Sequence, residues 1–130
     1  MTELELVQKA LDMRAYSYAP YSHFRVGAAL ESADGQVFTG CNVENAAYGS
    51  TICAERTALV KAVSEGVTQF RRIAIAGDSE DYCWPCGACR QMLREFGTEL
   101  EVLVVNRNGD YRKVTLEELL PHSFGPATLD

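Results

Sequence analysis

The sequence predicts a single α/β domain over residues 1–130, a three-layer α/β/α arrangement with a mixed five-stranded sheet. Three observations carry that expectation. The chain has the length of one ordinary domain, and no linker, repeat or low-complexity stretch divides it. Helical and strand signals interleave in the order α-β-β-α-β-α-β-β-α, which implies a mixed sheet with helices packed on it. Only Asn108-Gly109 and their neighbours separate the last two strands, so these form an antiparallel hairpin; a parallel return needs a much longer crossover.

The elements follow in order. Thr2 and Glu5 have capping-box spacing, and Leu4, Val7 and Leu11 recur at helical intervals, so residues 3–17 read as a helix closed by Pro20. Arg25 to Ser32 and Gln36 to Asn42 read as strands joined by Ala33-Asp34-Gly35, where Asp-Gly tolerates the positive φ of a hairpin turn. A polar loop over residues 42–51 opens into a helix from Cys53 to Glu65, with Ser50 or Thr51 as its cap and Gly66 as its stop. Arg72 to Ala76 is a short apolar strand. Pro85 suits the first turn of the next helix, which runs to Phe96 and stops at Gly97. Glu101 to Val105 reads as an inner strand covered on both faces, and Tyr111 to Val114 as its hairpin partner. Thr115 and Glu118 repeat the capping-box spacing for a short helix before Pro121.

Composition narrows the function classes. The net charge of −6 and the absence of any basic stripe beyond Arg71-Arg72 argue against DNA or RNA and for a small uncharged or cationic substrate. Apolar runs fall far short of the roughly 20 residues a membrane span needs. The acidic start Met1-Thr2-Glu3-Leu4-Glu5 carries no secretory signal, so the expected address is cytoplasmic. Five cysteines, three of them within Cys83–Cys89, suit metal binding better than a disulfide framework.

Two helix starts carry the chemistry: Cys53-Ala54-Glu55 and Pro85-Cys86-Gly87-Ala88-Cys89. Cys-x-x-Cys at a helix start lets both sulfurs reach one ion, and the helix N-terminus favours thiolate. With the two helices side by side, Cys53 supplies a third sulfur. Three ligands leave the fourth tetrahedral position of a zinc ion to water, as in catalytic sites. Glu55, two residues after Cys53, is placed to accept and return protons. Arg56 is the natural candidate to hydrogen-bond the ligand sulfurs and drain charge from them.

These motifs together resemble the zinc deaminase signature, in its Cys-first branch, the small cytidine deaminases of nucleoside salvage. Further matching stretches are Pro20-Tyr21-Ser22-x-Phe24-x-Val26-Gly27-Ala28-Ala29-Leu30, Gly40-x-Asn42-Val43-Glu44-Asn45 and Leu120-Pro121-x-x-Phe124-Gly125-Pro126. The resemblance implies a cytidine deaminase-like fold with one zinc per subunit and hydrolysis of cytidine or 2′-deoxycytidine to the uridine product and ammonia. It assigns Asn42 and Glu44 to the ribose hydroxyls, Phe24 to the face of the pyrimidine and the Ala54 backbone to the base edge. It also implies a homotetramer with shared sites, in which Phe124 enters the site of a neighbouring subunit. The antiparallel last hairpin fits the free-nucleoside branch, since relatives acting on polynucleotides or purine bases insert a helix there.

Other readings remain open at this level. Phe24, Phe124 and Tyr48 would serve as core aromatics, and Asn42 and Glu44 as loop-turn residues. Cys83 or Cys41 would extend the cluster toward an iron–sulfur motif or a closed four-cysteine zinc module, and Cys86 and Cys89 alone would suit thiol redox chemistry. Otherwise Cys41 and Cys83 are buried or near-site thiols.

Overall fold

A computed structural model describes residues 1–129; Asp130, the last residue of the expected domain, lies outside the described residues. Five strands form one mixed sheet in the order β2-β1-β3-β4-β5. They are β1 (Gly27–Ser32), β2 (Val37–Cys41), β3 (Phe70–Ala76), β4 (Glu101–Val105) and β5 (Tyr111–Thr115). β1 pairs antiparallel with both β2 and β3, β3 runs parallel to β4, and β4–β5 is the antiparallel hairpin expected from its short link. Gly35 and Gly109 take φ of +90° and +89° in the two hairpin turns, where a side chain would be strained.

Strand periodicity divides the core. Ala29, Ala74, Ala76, Leu103 and Val105 face α1 (Glu3–Met13), which contributes Leu6, Val7 and Ala10. Their sequence neighbours Ala28, Leu30, Ile73, Ile75, Val102 and Val104 point the other way. On that side lie α2 (Ala54–Ser64), α3 (Gly87–Arg94) and α4 (Leu116–Leu119), through Ala54, Ala58, Leu59, Leu93 and Leu116. The inner strands are therefore apolar on both faces and the domain has three layers, each buried Leu or Ile contributing about 1.5–3 kcal/mol. Among the described residues no helix is long and apolar enough to cross a membrane.

Several expected boundaries move. The first helix ends at Met13 and tightens into a 3-10 turn over Arg14–Tyr16, because the Arg14 side chain folds back to the carbonyls of Leu11 and Gly77. β1 begins at Gly27, since the N–H groups of Arg25 and Val26 are taken by the side chains of Asp78 and Asn42. Pro85 precedes the third helix by two residues, because Cys86 occupies the cap and Gly87 opens the helix. A final helical turn, α5 (Pro126–Leu129), has no counterpart in the sequence reading. Both capping boxes form, at Thr2/Glu5 and Thr115/Glu118.

Glycine brings helices close to the sheet at two positions. A Cβ on Gly27 would sit 2.0 Å from the Ala10 carbonyl oxygen, and one on Gly40 would sit 2.6 Å from both the Ala54 oxygen and the Ala58 nitrogen. The second contact draws α2 tightly onto β2 and fixes the height of its first turn. At the other end of the sheet, Arg72 and Glu31 form a buried ion pair at 2.6 Å across β3 and β1.

Candidate metal centre and active site

Cys53 and Cys86 are the N-cap residues of α2 and α3, both with extended backbone angles. Neither cap receives a side-chain hydrogen bond, and the expected caps Ser50 and Thr51 are instead engaged in a separate 3-10 turn over Tyr48–Ser50. The two helix starts meet so that Cys53 Sγ lies 3.8 Å from Cys86 Sγ, and Cys86 Sγ 3.3 Å from Cys89 Sγ. All three sulfurs lie within 4.8 Å of one another. Cys89 is buried, Cys53 half-buried and Cys86 exposed, which gives an ion an open side.

The donor set suits a soft divalent cation. Hydrogen bonding from Cys89 draws the Cys53 thiol down to about 5, helped by Arg56, while the same bond and burial drive Cys89 upward. Three sulfurs this close hold a shared negative charge among retained protons, and a cation that prefers thiolate displaces those protons. Arg56 donates to Cys53 Sγ at 3.5 Å and to the Thr51 carbonyl at 3.1 Å. Its Nε is buried without a hydrogen-bond partner among the described residues, so this donor has capacity left toward a fully ionised cluster. Cys41 and Cys83 stand outside the three-sulfur group.

Glu55, on the first turn of α2, is 4% exposed. Burial, and then the negative charge on Cys53, push its carboxyl up to about 7. It shares a cavity of about 150 Å³ with Cys53, Ala54, Val26, Asn42, Thr51 and Cys83. A second pocket of about 330 Å³, formed by Tyr21, Ser22, Glu44 and Tyr48, shares Thr51 as a wall residue with the first.

Of the remaining predicted residues, Asn42 and Glu44 line these two spaces, whereas Phe24 and Phe124 line neither. Asn42 accepts from the Val26 N–H at 3.0 Å and from the Ser17 hydroxyl, and donates to the Phe24 carbonyl at 2.8 Å, leaving one amide hydrogen for a ligand. The Glu44 carboxylate accepts the N–H groups of Tyr21 and Ser22, both at 3.1 Å, and the Ser22 hydroxyl, which hold its pKa below the usual carboxylate range. Phe24 is partly exposed and converges with Cys83 on Gly77: a Cβ there would lie 3.0 Å from both Phe24 Cζ and Cys83 Sγ. Phe124 is exposed on the surface, its carbonyl accepting from Gln91 of α3. Tyr48 is exposed too, edge-on to Tyr21 with ring centres 5.8 Å apart. None of the three aromatics is therefore a core residue. Cys83 joins the cavity wall, as a near-site thiol would, and so does Val26 from the matching stretch around Phe24; Thr51, expected only as a possible helix cap, is brought there by tertiary packing.

Three sulfurs at two helix starts, with a buried carboxyl in the adjoining cavity, define the centre of a metal-dependent hydrolase. Residues 1–105 match the cytidine and deoxycytidylate deaminase zinc-binding region. The cytidine deaminase of Sporosarcina psychrophila is 45% identical over 126 residues, 96% of this chain and 93% of that protein. A probable cytidine deaminase of Dictyostelium discoideum is 49% identical over 129 residues, 98% of this chain and 87% of that protein. The crystal structure of the Burkholderia pseudomallei cytidine deaminase superposes with a TM-score of 0.92 at 49% identity, covering 95% of this chain and all of that one. The chain belongs to the cytidine and deoxycytidylate deaminase family, and is a zinc-dependent deaminase.

Proposed function

We propose that this protein hydrolyses free cytidine and 2′-deoxycytidine to uridine and 2′-deoxyuridine with release of ammonia, as a single catalytic domain over residues 1–130 serving pyrimidine salvage. The observation that carries the reading is Glu55, a buried carboxyl in a cavity that it shares with Cys53, one of the three clustered sulfurs. Cys53, Cys86 and Cys89 would hold one zinc ion per subunit. When bound, zinc acidifies water and so supplies a nucleophile at neutral pH.

The chain's own groups do the rest. Glu55 takes a proton from the attacking water and places it on N3, which makes C4 electrophilic. The hydroxide oxygen then bonds to C4, Glu55 carries the second water proton to the exocyclic amino group, and the C4–N bond breaks to release ammonia and leave the C4 carbonyl. A carboxyl whose burial raises its pKa toward neutrality is suited to both transfers. The Ala54 backbone reads the base edge from the cavity floor and Phe24 packs on the pyrimidine. Asn42, on the cavity wall, and Glu44, in the second pocket, bind the ribose hydroxyls; the shared wall residue Thr51 supports a base and sugar lying across the two spaces. Arg56 keeps the sulfurs charged and in place. The acidic surface without a basic stripe favours an unphosphorylated nucleoside over nucleotides or nucleic acid.

The functional unit in this proposal is a homotetramer in which Phe124 of each subunit closes a neighbour's site. Its exposure, and that of Tyr16, Tyr18, Tyr21 and Tyr48, supports assembly through aromatic surface. Five free cysteines and a thiolate metal site suit the reducing cytoplasm. The test is ammonia release from zinc-loaded protein offered cytidine, deoxycytidine, cytosine, dCMP and adenosine in parallel. Release from the two nucleosides alone is expected; release from dCMP or adenosine in preference, or from none, overturns the substrate assignment.

A further inference from the structure

The segment from Ala19 to Val26 carries Phe24 yet belongs to no helix or strand. Side chains from distant parts of the chain hold it. Glu44 takes the N–H groups of Tyr21 and Ser22. Asn42 donates to the Phe24 carbonyl at 2.8 Å, and Asp78 Oδ2 accepts the Arg25 N–H at 2.9 Å. That carbonyl and that N–H belong to one peptide group. The Phe24–Arg25 peptide is thus gripped on both sides, which fixes the direction in which the Phe24 side chain leaves the backbone.

Asp78 is built for its half of this grip. It follows Gly77 at the end of β3, beside the point where Phe24 and Cys83 converge. Besides the Arg25 N–H it accepts Arg25 Nε at 2.9 Å and Nη2 at 3.0 Å, and Arg14 Nη1 at 3.3 Å from the end of the first helix. Charge-assisted bonds from two arginines keep the carboxylate ionised and aimed at the loop. Asp78 does not line the cavity and touches no reacting atom.

We propose that Asp78 is a positioning residue for substrate binding: by holding the Phe24–Arg25 peptide from the end of β3, it keeps Phe24 at Gly77 beside Cys83, which lines the base cavity. The proposal rests on the reading of Phe24 as the aromatic that packs on the pyrimidine. Orienting an aromatic wall serves ground state and transition state alike, so the expected signature lies in KM, with kcat nearly unchanged.

The test is a double-mutant cycle on kcat and KM for cytidine, with zinc content and urea unfolding measured on every variant. Asp78→Ala should raise KM roughly tenfold, the scale of one lost charge-assisted hydrogen bond, with kcat within about twofold. Asp78→Asn, which retains an oxygen for the Arg25 N–H, should recover most of that loss. In a Phe24→Ala background the Asp78→Ala change should add less than about twofold, because the side chain it orients is gone. Equal effects in both backgrounds, or no effect of Asp78→Ala in the presence of Phe24, overturn the proposal. A Phe24→Ala variant with unchanged KM overturns the reading beneath it, a result distinct from the other two. Should Asp78→Ala fail to fold, Arg25→Ala removes the exposed half of the ion pair; a KM rise of about threefold that vanishes without Phe24 supports the proposal, and one that persists overturns it.

Discussion

Gly40→Ala tests whether the height of α2 above the sheet sets the geometry of the active site. The new Cβ would lie 2.6 Å from the Ala54 oxygen and the Ala58 nitrogen and 3.0 Å from Thr57 Cβ. Ordinary contact begins at 3.4 Å, so the first turn of α2 has to retreat by about 0.8 Å. Two of the three obstructing atoms are backbone, and no rotamer change relieves them. The retreating turn carries Cys53 and Glu55, whereas Cys86 and Cys89 stay with α3. Overpacking of this kind costs about 1–3 kcal/mol, and a displacement near 1 Å at a reacting group costs on the order of 100-fold in rate. The assay is the absorbance change on cytidine turnover, with urea unfolding and zinc content on the same preparations. Gly49→Ala, whose Cβ would meet nothing within 4 Å, is the control and should unfold as the parent does. A Gly40→Ala protein with parental kcat/KM and parental stability would refute the reasoning.

Three further outcomes are expected. Glu55→Gln should keep zinc binding and lower kcat by about 10⁴-fold or more, since the proposed mechanism gives one carboxyl two proton transfers; near-parental single-turnover rates would remove it from the mechanism. Arg72→Met leaves the buried Glu31 carboxylate to the Met1 amino group 3.8 Å away and should destabilise by about 3 kcal/mol, the low end for a broken buried pair, whereas adding Glu31→Gln should return most of that, both read by urea unfolding. For Asp78, burial opposes ionisation but the bonds from Arg25 outweigh it, so its folded pKa lies below the ordinary 3.8. Its stabilisation is therefore complete above that ordinary value and lost as pH falls through the lower folded one. Asp78→Asn should accordingly flatten the acid end of the stability profile below about pH 4, leaving the neutral range parallel to the parent; an unchanged acid limb would count against the ion pair.

Much of this molecule was legible because local chemistry and tertiary structure agree. Thr2 with Glu5 and Thr115 with Glu118 signal helix starts that form with both reciprocal bonds in place. The Asp34-Gly35 and Asn108-Gly109 turns dictate antiparallel hairpins, and the sheet contains both. The metal motifs were equally plain, since Cys-x-x-Cys and Cys-x-Glu are local patterns. What escaped was made of long-range contacts. Ser50 and Thr51 are good capping residues, yet the cap of α2 is Cys53, a poor one by propensity, because the helix start serves the sulfur cluster. Likewise Arg25 and Val26 read as strand by pattern, but Asp78 and Asn42 claim their backbone N–H groups. Thr51 carries no signal of a cavity wall until the fold assembles around Glu55.

The bare caps of α2 and α3 carry a consequence for the life of the protein before it meets metal. A serine or aspartate at either position would bind an orphan N–H of the helix itself, whereas each thiol is directed to the shared cluster. Two helices have thereby tied their first turns to a single outside supply. Without zinc the first turn of α3, whose Cys86, Gly87 and Ala88 are exposed, has less to hold it than that of α2, where Ala54 and Glu55 are buried, so metal removal should speed amide exchange at Gly87 to Cys89 more than at Ala54 to Arg56.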